Sequence, residues 1–251
     1  TPTLDGAVYA LDVSNNGTLL VGGEFTTVNG ATREGMVALD PITGSVDNTY
    51  AASVENWWGG GAPAVVRNFE KVGTDVYVVG NFDHVRVGAN TYRVWSSARI
   101  RAGSGQLDPT FLPKVRFGAW DVAVDQGRGR VHLVGDFDEI DGNTDHKRHG
   151  VVDLNGTPLT NGIAYHEDNS NNQNIQTGVA MATANRVWVG GAEHITQVKN
   201  AGNMNRLGFL TWGMGCDTFQ PANCGNGTYP GGGDVQVIDE VDGWMLVGCH
   251  C

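Results

Sequence analysis

The stretch Val21-Gly22-Gly23-Glu24-Phe25 decides the fold, because the chain repeats it. It returns as Val78-Val79-Gly80-Asn81-Phe82 and as Leu133-Val134-Gly135-Asp136-Phe137, and two weaker copies lie at 188–192 and 246–250. The third-position glycines stand at residues 23, 80, 135, 190 and 248, in steps of 57, 55, 55 and 58. Four nearly equal steps indicate an array of structural repeats. The phenylalanine of the first three copies recurs once per unit, which favours a packing role between neighbouring units.

Strand and turn signals follow the same order in each unit. An alternating apolar segment, such as Trp120-Asp121-Val122-Ala123-Val124, leads through a turn into the apolar run that ends at the repeated glycine. A second turn, Asn29-Gly30 or Asp141-Gly142, precedes a third strand, and a looser fourth segment closes the unit at 44–50 and 105–111. Alternating apolar runs joined by Asn-Gly or Asp-Gly turns predict β-hairpins.

About four short strands in each of several consecutive units of this length are typical of a β-propeller. We predict an all-β chain that forms one propeller, or a fragment of one, over residues 1–251. The predicted blades lie at about 5–58, 59–115, 116–170 and 171–230, with an incomplete fifth blade at 231–251. A solenoid of parallel β-coils is the alternative, but its rungs are much shorter and lack tight antiparallel hairpins. Because an incomplete blade leaves strand edges unpaired, we expect more chain or a partner to follow Cys251.

The charge balance limits the classes of partner. The 27 acidic residues outnumber the 16 basic residues, for a net charge of −11, and this charge opposes binding to phosphate backbones. No apolar run reaches the roughly 18 residues needed to cross a bilayer. The chain also has neither a phosphate-binding glycine motif that ends in Lys-Ser/Thr nor a Gly-x-Ser-x-Gly nucleophile turn. We therefore expect neither nucleic-acid binding, nor membrane insertion, nor catalysis.

Two sets of motifs resemble known propeller repeats. The segments Gly23-Glu24-Phe25-Thr26-Thr27-Val28-Asn29-Gly30 and Gly105-Gln106-Leu107-Asp108-Pro109-Thr110-Phe111 resemble the glycine-phenylalanine (delta-sixty type) repeats of secreted bacterial proteins. The segments 191–198 and 248–251 are similar to propellers in minor tail proteins of actinobacterial phages. The resemblance spans the chain and implies a β-propeller without a general catalytic signature. It implies a homo-oligomer of three or more copies in a virion tail, or alternatively a protein of the bacterial surface. The implied partners are other tail proteins or a host-surface glycan or protein.

Trp57 and Trp58 are the candidate ligand-binding residues. They lie in a glycine-rich insertion between the first and second units, away from the repeated positions. Exposed aromatic pairs offer flat apolar faces to sugar rings or to a protein partner. The alternative is that these two side chains cap the end of the ring against solvent.

The densest group of carboxylates lies at 136–145. Asp136, Asp138 and Asp141 are candidate calcium ligands, because calcium prefers several oxygen ligands on a tight turn. The spacing does not match an EF-hand loop, and Asp141 already belongs to a predicted hairpin turn. We therefore favour the turn and expect no metal or cofactor, with calcium as the exception to be checked.

All four cysteines lie in the last part of the chain. Cys216 and Cys224 bracket a short loop rich in glycine and asparagine, which predicts a small disulfide. Cys249 and Cys251 are two apart on one face of a strand, where a mutual bond would be strained. Zinc is the alternative for these thiols, but structural zinc sites space paired cysteines by two to four residues.

The sequence thus favours a non-catalytic propeller of a phage tail tip that contributes to host-surface attachment or tail structure. The alternative is that the protein is a secreted bacterial adhesin that binds its ligand in the same way. A propeller glycosidase or lyase is the second alternative, and it requires carboxylates from different blades to converge within roughly 5–10 Å. Asp136, Glu139 and Glu193 are the first candidates for such a pair.

Overall fold

The computed structural model describes residues 1–159, 176–183, 185–191, 195–204, 206–211, 235–242 and 244–249. Within these residues all regular secondary structure is β, which confirms the predicted all-β class. No helix that could span a membrane occurs in this part of the chain. The strands are β1 (Ala7–Val13), β2 (Leu19–Glu24), β3 (Thr27–Val28), β4 (Ala31–Thr32), β5 (Met36–Leu39), β6 (Ala52–Glu55), β7 (Val65–Val72), β8 (Asp75–Asn81), β9 (His84–Val87), β10 (Asn90–Arg93), β11 (Ser97–Arg101), β12 (Ala119–Asp125), β13 (Arg130–Gly135), β14 (His149–Asp153), β15 (Gln176–Thr183), β16 (Arg186–Gly191), β17 (Ile195–Asn200), β18 (Arg206–Thr211), β19 (Val235–Val241) and β20 (Trp244–Cys249).

Five antiparallel sheets follow one another along the chain, one for each repeat unit. They are sheet 1 (β1-β2-β5), sheet 2 (β7-β8-β11), sheet 3 (β12-β13-β14), sheet 4 (β15-β16-β17-β18) and sheet 5 (β19-β20). Two further small sheets, β6-β9-β10 and β3-β4, lie outside this series. The looser fourth segment of the first three units contributes one β-bridge each, Leu39–Val46, Ile100–Leu107 and Val152–Pro158.

The Asn-Gly and Asp-Gly turns have the backbone conformation that the sequence predicts. Asn29 and Gly30 have φ of 51° and 78°, and Asp141 and Gly142 have φ of 52° and 81°. Positive φ at both central residues is the signature of a type I′ turn, in which asparagine, aspartate and glycine are favoured. Each of these pairs joins two antiparallel partners, Val28–Ala31 in the first case and Ile140–Asn143 in the second.

Every first strand carries a β-bulge at the same place. Near the start of each first strand the pairing with the second strand skips one residue, and these residues are Tyr9, Arg67, Trp120, Thr177 and Gln236. β15 has a second irregularity between Met181 and Thr183. A bulge bends its strand and increases the local twist. The five sheets therefore share a β-bulge in the first strand as well as the pairing of the first strand with the second.

The bulges correct the alignment of the last two repeats. The residue before the bulge pairs with Gly23, Gly80 and Gly135 in the first three units, but with Gly191 and Cys249 in the fourth and fifth. The sequence-based choice of residues 190 and 248 as equivalent positions was therefore wrong by one residue. In the fourth unit two consecutive glycines are available, so the apolar pattern alone does not fix the register.

Successive sheets pack face to face through buried side chains. Alternate residues of β8 point to opposite sides, as the period of two in a strand requires. Val78 belongs to the apolar cluster shared with sheet 1, whereas Val79 belongs to the cluster shared with sheet 3. Two further clusters join sheet 3 to sheet 4 and sheet 4 to sheet 5. Four layers thus lie between the five sheets, and a further apolar cluster, which includes Val21, Phe25 and Val37, covers the other face of sheet 1.

The first strands of the five sheets are neighbours in space. β1 contacts β7, β7 contacts β12, β12 contacts β15 and β15 contacts β19. Residues of all five first strands line one cavity of about 340 Å³. The bulged strands of the five units therefore meet at a common cavity.

The layer between sheets 3 and 4 has a polar centre. The Nδ1 atom of His132 lies 3.3 Å from Nε2 of His149, whose Nδ1 lies 2.9 Å from Nζ of Lys199, and all three side chains are buried. Burial lowers the pKa of Lys199 to about 7 and the pKa of His132 to about 3. This layer therefore differs in chemistry from the apolar layer between sheets 1 and 2.

We predict that Gly80→Ala destabilises the protein through the bulge. A Cβ at this position would lie 1.9 Å from the carbonyl oxygen of Val65, so the two strands would have to separate. We expect the free energy of unfolding, measured by urea denaturation, to fall by roughly 2–3 kcal/mol. Gly103→Ala is the matched control, because its Cβ would meet no atom within 4 Å. Equal stability of the two variants would contradict the proposed constraint.

Candidate functional site

Trp57 and Trp58 follow β6 at the surface of the molecule. Their side chains are 59% and 57% exposed, which is unusual for the largest apolar side chain. We call these two residues, with His84, Arg93 and Trp95, the aromatic platform. His84 and Arg93 lie on β9 and β10, and the tryptophans follow β6 and β10. These three strands form one small antiparallel sheet.

The carboxylate of Asp83 fixes the backbone of the platform. It accepts hydrogen bonds from the amide N–H of Trp57 at 2.8 Å and of Trp58 at 2.7 Å, and it lies 2.7 Å from Nδ1 of His84. Burial opposes ionisation of Asp83, but these three contacts outweigh it and hold its pKa below the ordinary value. In addition, the indole N–H of Trp57 donates to Glu55 at 2.8 Å. Both tryptophans are therefore held in place although they are exposed.

The rings of the platform contact one another in fixed geometries. Trp57 stacks on His84 with 4.0 Å between ring centroids and 25° between planes, and Trp58 meets the same imidazole edge-on at 5.6 Å. The guanidinium carbon of Arg93 lies 4.0 Å from the centroid of Trp58 and 4.5 Å from that of Trp95. Such cation–π contacts are attractive and restrict the side chains further.

This arrangement suits the binding of a flat or partly apolar ligand. Exposed rings that are already ordered lose little conformational entropy when a ligand covers them, so more of the contact energy appears as affinity. Arg93 supplies hydrogen-bond donors beside the rings. Glu55 is buried, and its two oxygens already contact Arg86 and the indole N–H of Trp57, so it helps to hold Trp57 in place. Sugars have this combination of apolar C–H faces and hydroxyl groups.

The predicted calcium candidates each have cationic partners. Asp136 forms an ion pair with Arg148, Asp138 lies 3.6 Å from Nζ of Lys147, and Asp141 lies 3.9 Å from Nζ of Lys114. Among the residues that the structure describes, no three His, Cys, Asp or Glu side chains are grouped as metal ligands would be. The carboxylates at 136–141 thus take part in ion pairs, and the structure gives the calcium hypothesis no support there.

The cysteine predictions lie outside the described residues. Cys216, Cys224 and Cys251 fall there, as does Glu193, and Cys249 is described only as the last residue of β20. Both proposed disulfides therefore stay predictions. The other two candidates for a carboxylate pair are in ion pairs, Asp136 with Arg148 and Glu139 with Arg116 at 3.4 Å.

The structure instead brings together four carboxylates at the cavity that the five first strands line, and the sequence did not predict this group. Glu70, Asp121 and Asp239 line the cavity, and Asp12 of β1 is close enough to Glu70 to repel it. A signal was present in the sequence. Asp12, Glu70 and Asp239 each stand three residues after the bulge of their strand, so they are equivalent positions of the repeat.

Asp121 joins three strands that belong to different sheets. Its carboxylate accepts hydrogen bonds from the amide N–H of Val122 and of Val179, both at 2.8 Å, and from the side-chain amide of Asn68. Because Asn68 lies on β7 and Val179 on β15, this one buried side chain bridges sheets 2, 3 and 4. Burial raises the pKa of Asp121 to about 7 even though the three hydrogen bonds lower it.

Glu70 has the same tendency to remain protonated, for a partly different reason. Burial is the largest cause, and repulsion by Asp121, Asp239 and Asp12 adds to it, so that the pKa of Glu70 rises to about 7. A proton on Glu70 therefore relieves part of the like-charge repulsion around the cavity.

Comparison with known proteins does not assign the chain to a family. The sequence matches no protein-family model and has no significant similarity to a curated protein.

We predict that Glu70→Gln changes the pH dependence of stability. The folded-state pKa of about 7 lies above the ordinary value of 4.5, so ionisation of Glu70 costs the folded protein stability as the pH rises through this range. Glutamine removes that cost. Relative to wild type, we expect the variant to gain about 2 kcal/mol of unfolding free energy between pH 5 and pH 8. Urea denaturation at a series of pH values measures this, and a difference that does not change with pH would contradict the prediction.

Proposed function

We propose that the five sheets are blades of a β-propeller, or of a propeller fragment, arranged around the central cavity. Three observations support this. The first strands are neighbours in series, residues of all five line one cavity, and apolar layers separate successive sheets. A β-propeller has short sheets set radially, with the first strand of each nearest the axis.

We further propose that the protein is a non-catalytic binding protein that attaches to a glycan of a cell surface through the aromatic platform. The observation that carries this proposal is that Trp57 and Trp58 are more than half exposed, while the buried carboxylate of Asp83 fixes the amides of both. Apolar sugar faces stack on aromatic rings, and the neighbouring guanidinium group of Arg93 offers hydrogen-bond donors to hydroxyl groups. A protein ligand is the alternative occupant.

On the basis of the sequence resemblance, we propose that the protein belongs to the tail of a phage virion. In that setting the protein has a structural and host-attachment role, with other tail proteins and a host-surface glycan or protein as partners. Three or more copies around a tail axis would add avidity, because binding of the second copy becomes effectively intramolecular. The alternative is a secreted adhesin of the bacterial surface with the same platform. Immunogold labelling of purified virions and of bacterial surfaces distinguishes the two.

One observation favours a glycoside hydrolase as a second candidate function. Carboxylates from different repeat units, Glu70, Asp121 and Asp239, converge at the central cavity, as such an enzyme requires. Against it, both oxygens of Asp121 already accept hydrogen bonds that join three sheets. Release of reducing ends from a bound glycan, abolished in Glu70→Gln, would establish this function in place of simple binding.

We predict that the double substitution Trp57→Ala and Trp58→Ala weakens glycan binding by about tenfold or more, since it removes both stacking faces. Binding to arrayed cell-wall glycans of actinobacteria measures the effect, and the far-ultraviolet circular dichroism of the folded protein should not change. Phe117→Ala is the matched control, because Phe117 is an equally exposed aromatic residue outside the platform. Unchanged binding by the double variant would remove the platform from the proposed function.

We also predict that Asp83→Asn weakens binding although residue 83 need not touch the ligand. The new side-chain NH₂ group would face an amide N–H that now donates to a carboxylate oxygen, so one hydrogen bond is lost at a cost of about 1 kcal/mol. The near-ultraviolet circular dichroism of the tryptophans should change with the affinity. Asp138→Asn serves as the control at an exposed carboxylate, and an Asp83→Asn variant with wild-type spectrum and affinity would contradict the positioning role.

A further inference from the structure

The guanidinium group of Arg93 packs against two tryptophans at the surface of the molecule. Its central carbon lies over the ring of Trp58 at 4.0 Å and over the ring of Trp95 at 4.5 Å, and the two ring centroids are 6.0 Å apart. Arg93 itself is exposed, as is the neighbouring side chain of Tyr92. Stacking uses the face of a guanidinium, so it fixes the position of this positive charge and leaves the N–H donors at the edge accessible.

Arg93 forms no ion pair and no side-chain hydrogen bond within the part of the chain that the structure describes. Arg99 shows the contrast. It also lies against two aromatic rings, 5.8 Å from the centroids of Tyr77 and Phe111, but Asp108 binds it at 2.8 Å. A guanidinium has five N–H donors and carries a full charge, so a carboxylate is its best partner. Arg99 has that partner inside the protein, whereas the same place beside Arg93 is open to a ligand.

The carboxylates nearest to the platform are already in use. Glu55 forms an ion pair with Arg86, and Asp83 accepts hydrogen bonds from two backbone amides and lies 2.7 Å from Nδ1 of His84. The whole chain has a net charge of −11, but the platform and its supports hold two guanidinium groups for two carboxylates. The charge of Arg93 is therefore the one that these contacts leave without an acidic partner.

This charge selects among the ligands that aromatic rings bind. Exposed tryptophans also bind cations, but Arg93 already lies over the ring of Trp58 and repels a second positive charge. A neutral sugar uses the indole surfaces and leaves the guanidinium with water as its partner. A sugar that carries a carboxylate uses both, because the parallel N–H donors of a guanidinium match the two oxygens of a carboxylate.

We propose that the ligand of the aromatic platform is an acidic glycan, in which a sugar ring with a carboxylate covers Trp58 while the carboxylate binds the edge of Arg93. This inference rests on the proposed function, glycan binding by the platform, and adds the chemical class of the glycan. More than half of the Trp58 side chain is exposed, so a ring that lies on it comes beside the guanidinium. A carboxylate attached directly to the sugar ring is within reach of Arg93 from that position.

Matched pairs of oligosaccharides test the requirement for a carboxylate. The probes are tetrasaccharides of polygalacturonic acid and of hyaluronan, each beside its methyl ester, in which the carboxylate has lost its charge. By isothermal titration calorimetry, we expect at least one acid to bind about tenfold more tightly than its ester. This preference should shrink when the salt concentration rises from about 50 to about 500 mM, because salt screens exposed charges. Equal affinity of acid and ester in both pairs would overturn the proposal.

Arginine variants locate the contact. Arg93→Gln should lower the affinity for the acid about tenfold and leave the affinity for the ester unchanged, and Arg93→Lys, which keeps the charge without the flat pair of donors, should lie between. Arg116→Gln is the matched control. Arg116 also lies over an exposed aromatic ring, 5.1 Å from the centroid of Phe117, but it pairs with Glu139. A preference for the acid that persists in Arg93→Gln would overturn the proposal.

The tryptophan double variant separates failure of this proposal from failure of the proposed function. If acid and ester bind equally and both lose affinity in the variant with Trp57→Ala and Trp58→Ala, the platform binds glycans and only the carboxylate requirement is overturned. Absence of binding by all four oligosaccharides, or binding that the double variant retains, would overturn both. Glycerol-phosphate teichoic acid is the remaining probe. If it binds more tightly than either uronic acid and Arg93→Gln abolishes the difference, Arg93 recognises phosphate, and the proposal is overturned in favour of that group.

Discussion

The β-bulge that recurs in every first strand is the constraint on which the other features of the structure depend. At Gly23 and Gly80 a Cβ would lie 2.0 Å and 1.9 Å from a carbonyl oxygen of the first strand, so only glycine permits the pairing. The bulge that follows turns and twists the first strand. Because this geometry recurs five times, the five first strands can meet at one cavity while their sheets pack on one another. In these two units the glycine is therefore a requirement of local geometry, whereas the fifth unit has Cys249 at the equivalent position.

The same scaffold explains how exposed aromatic side chains remain ordered. Asp83 lies in the short connection between β8 of sheet 2 and β9 of the small outer sheet, so the carboxylate belongs to a well-packed region. Trp57 and Trp58 lie after the neighbouring strand β6 and receive their order through two amide hydrogen bonds. The cavity carboxylates have the opposite environment. Burial raises the pKa of both Glu70 and Asp121, so ionisation of these groups destabilises the folded protein. Ionised Asp83, in contrast, orders the two tryptophans.

The apolar pattern was sufficient to predict the strands, the Asn29-Gly30 turn and the unit length, because these depend on neighbouring residues. The bulges were not predicted, since a skipped residue changes the pairing without leaving a mark on the alternating pattern, and this also misaligned residues 190 and 248. The tryptophan pair was found from its composition. The hydrogen bonds from the tryptophan amides to Asp83 were not predicted, because Asp83 lies more than 20 residues away in the chain. The carboxylates Asp12, Glu70 and Asp239 repeat at one position, but only three of the five strands carry them.

The buried contacts of His132, His149 and Lys199 occur in the layer between sheets 3 and 4, whereas the layer between sheets 1 and 2 is built from aliphatic and aromatic side chains. A repeat unit moved into another position would leave an imidazole or an ammonium group facing a hydrocarbon surface. The repeat units are therefore not interchangeable, because the side chains in the layers between sheets differ from one layer to the next. Misassembly is a characteristic hazard of repeat proteins, and a layer with a polar centre is a physical safeguard against it.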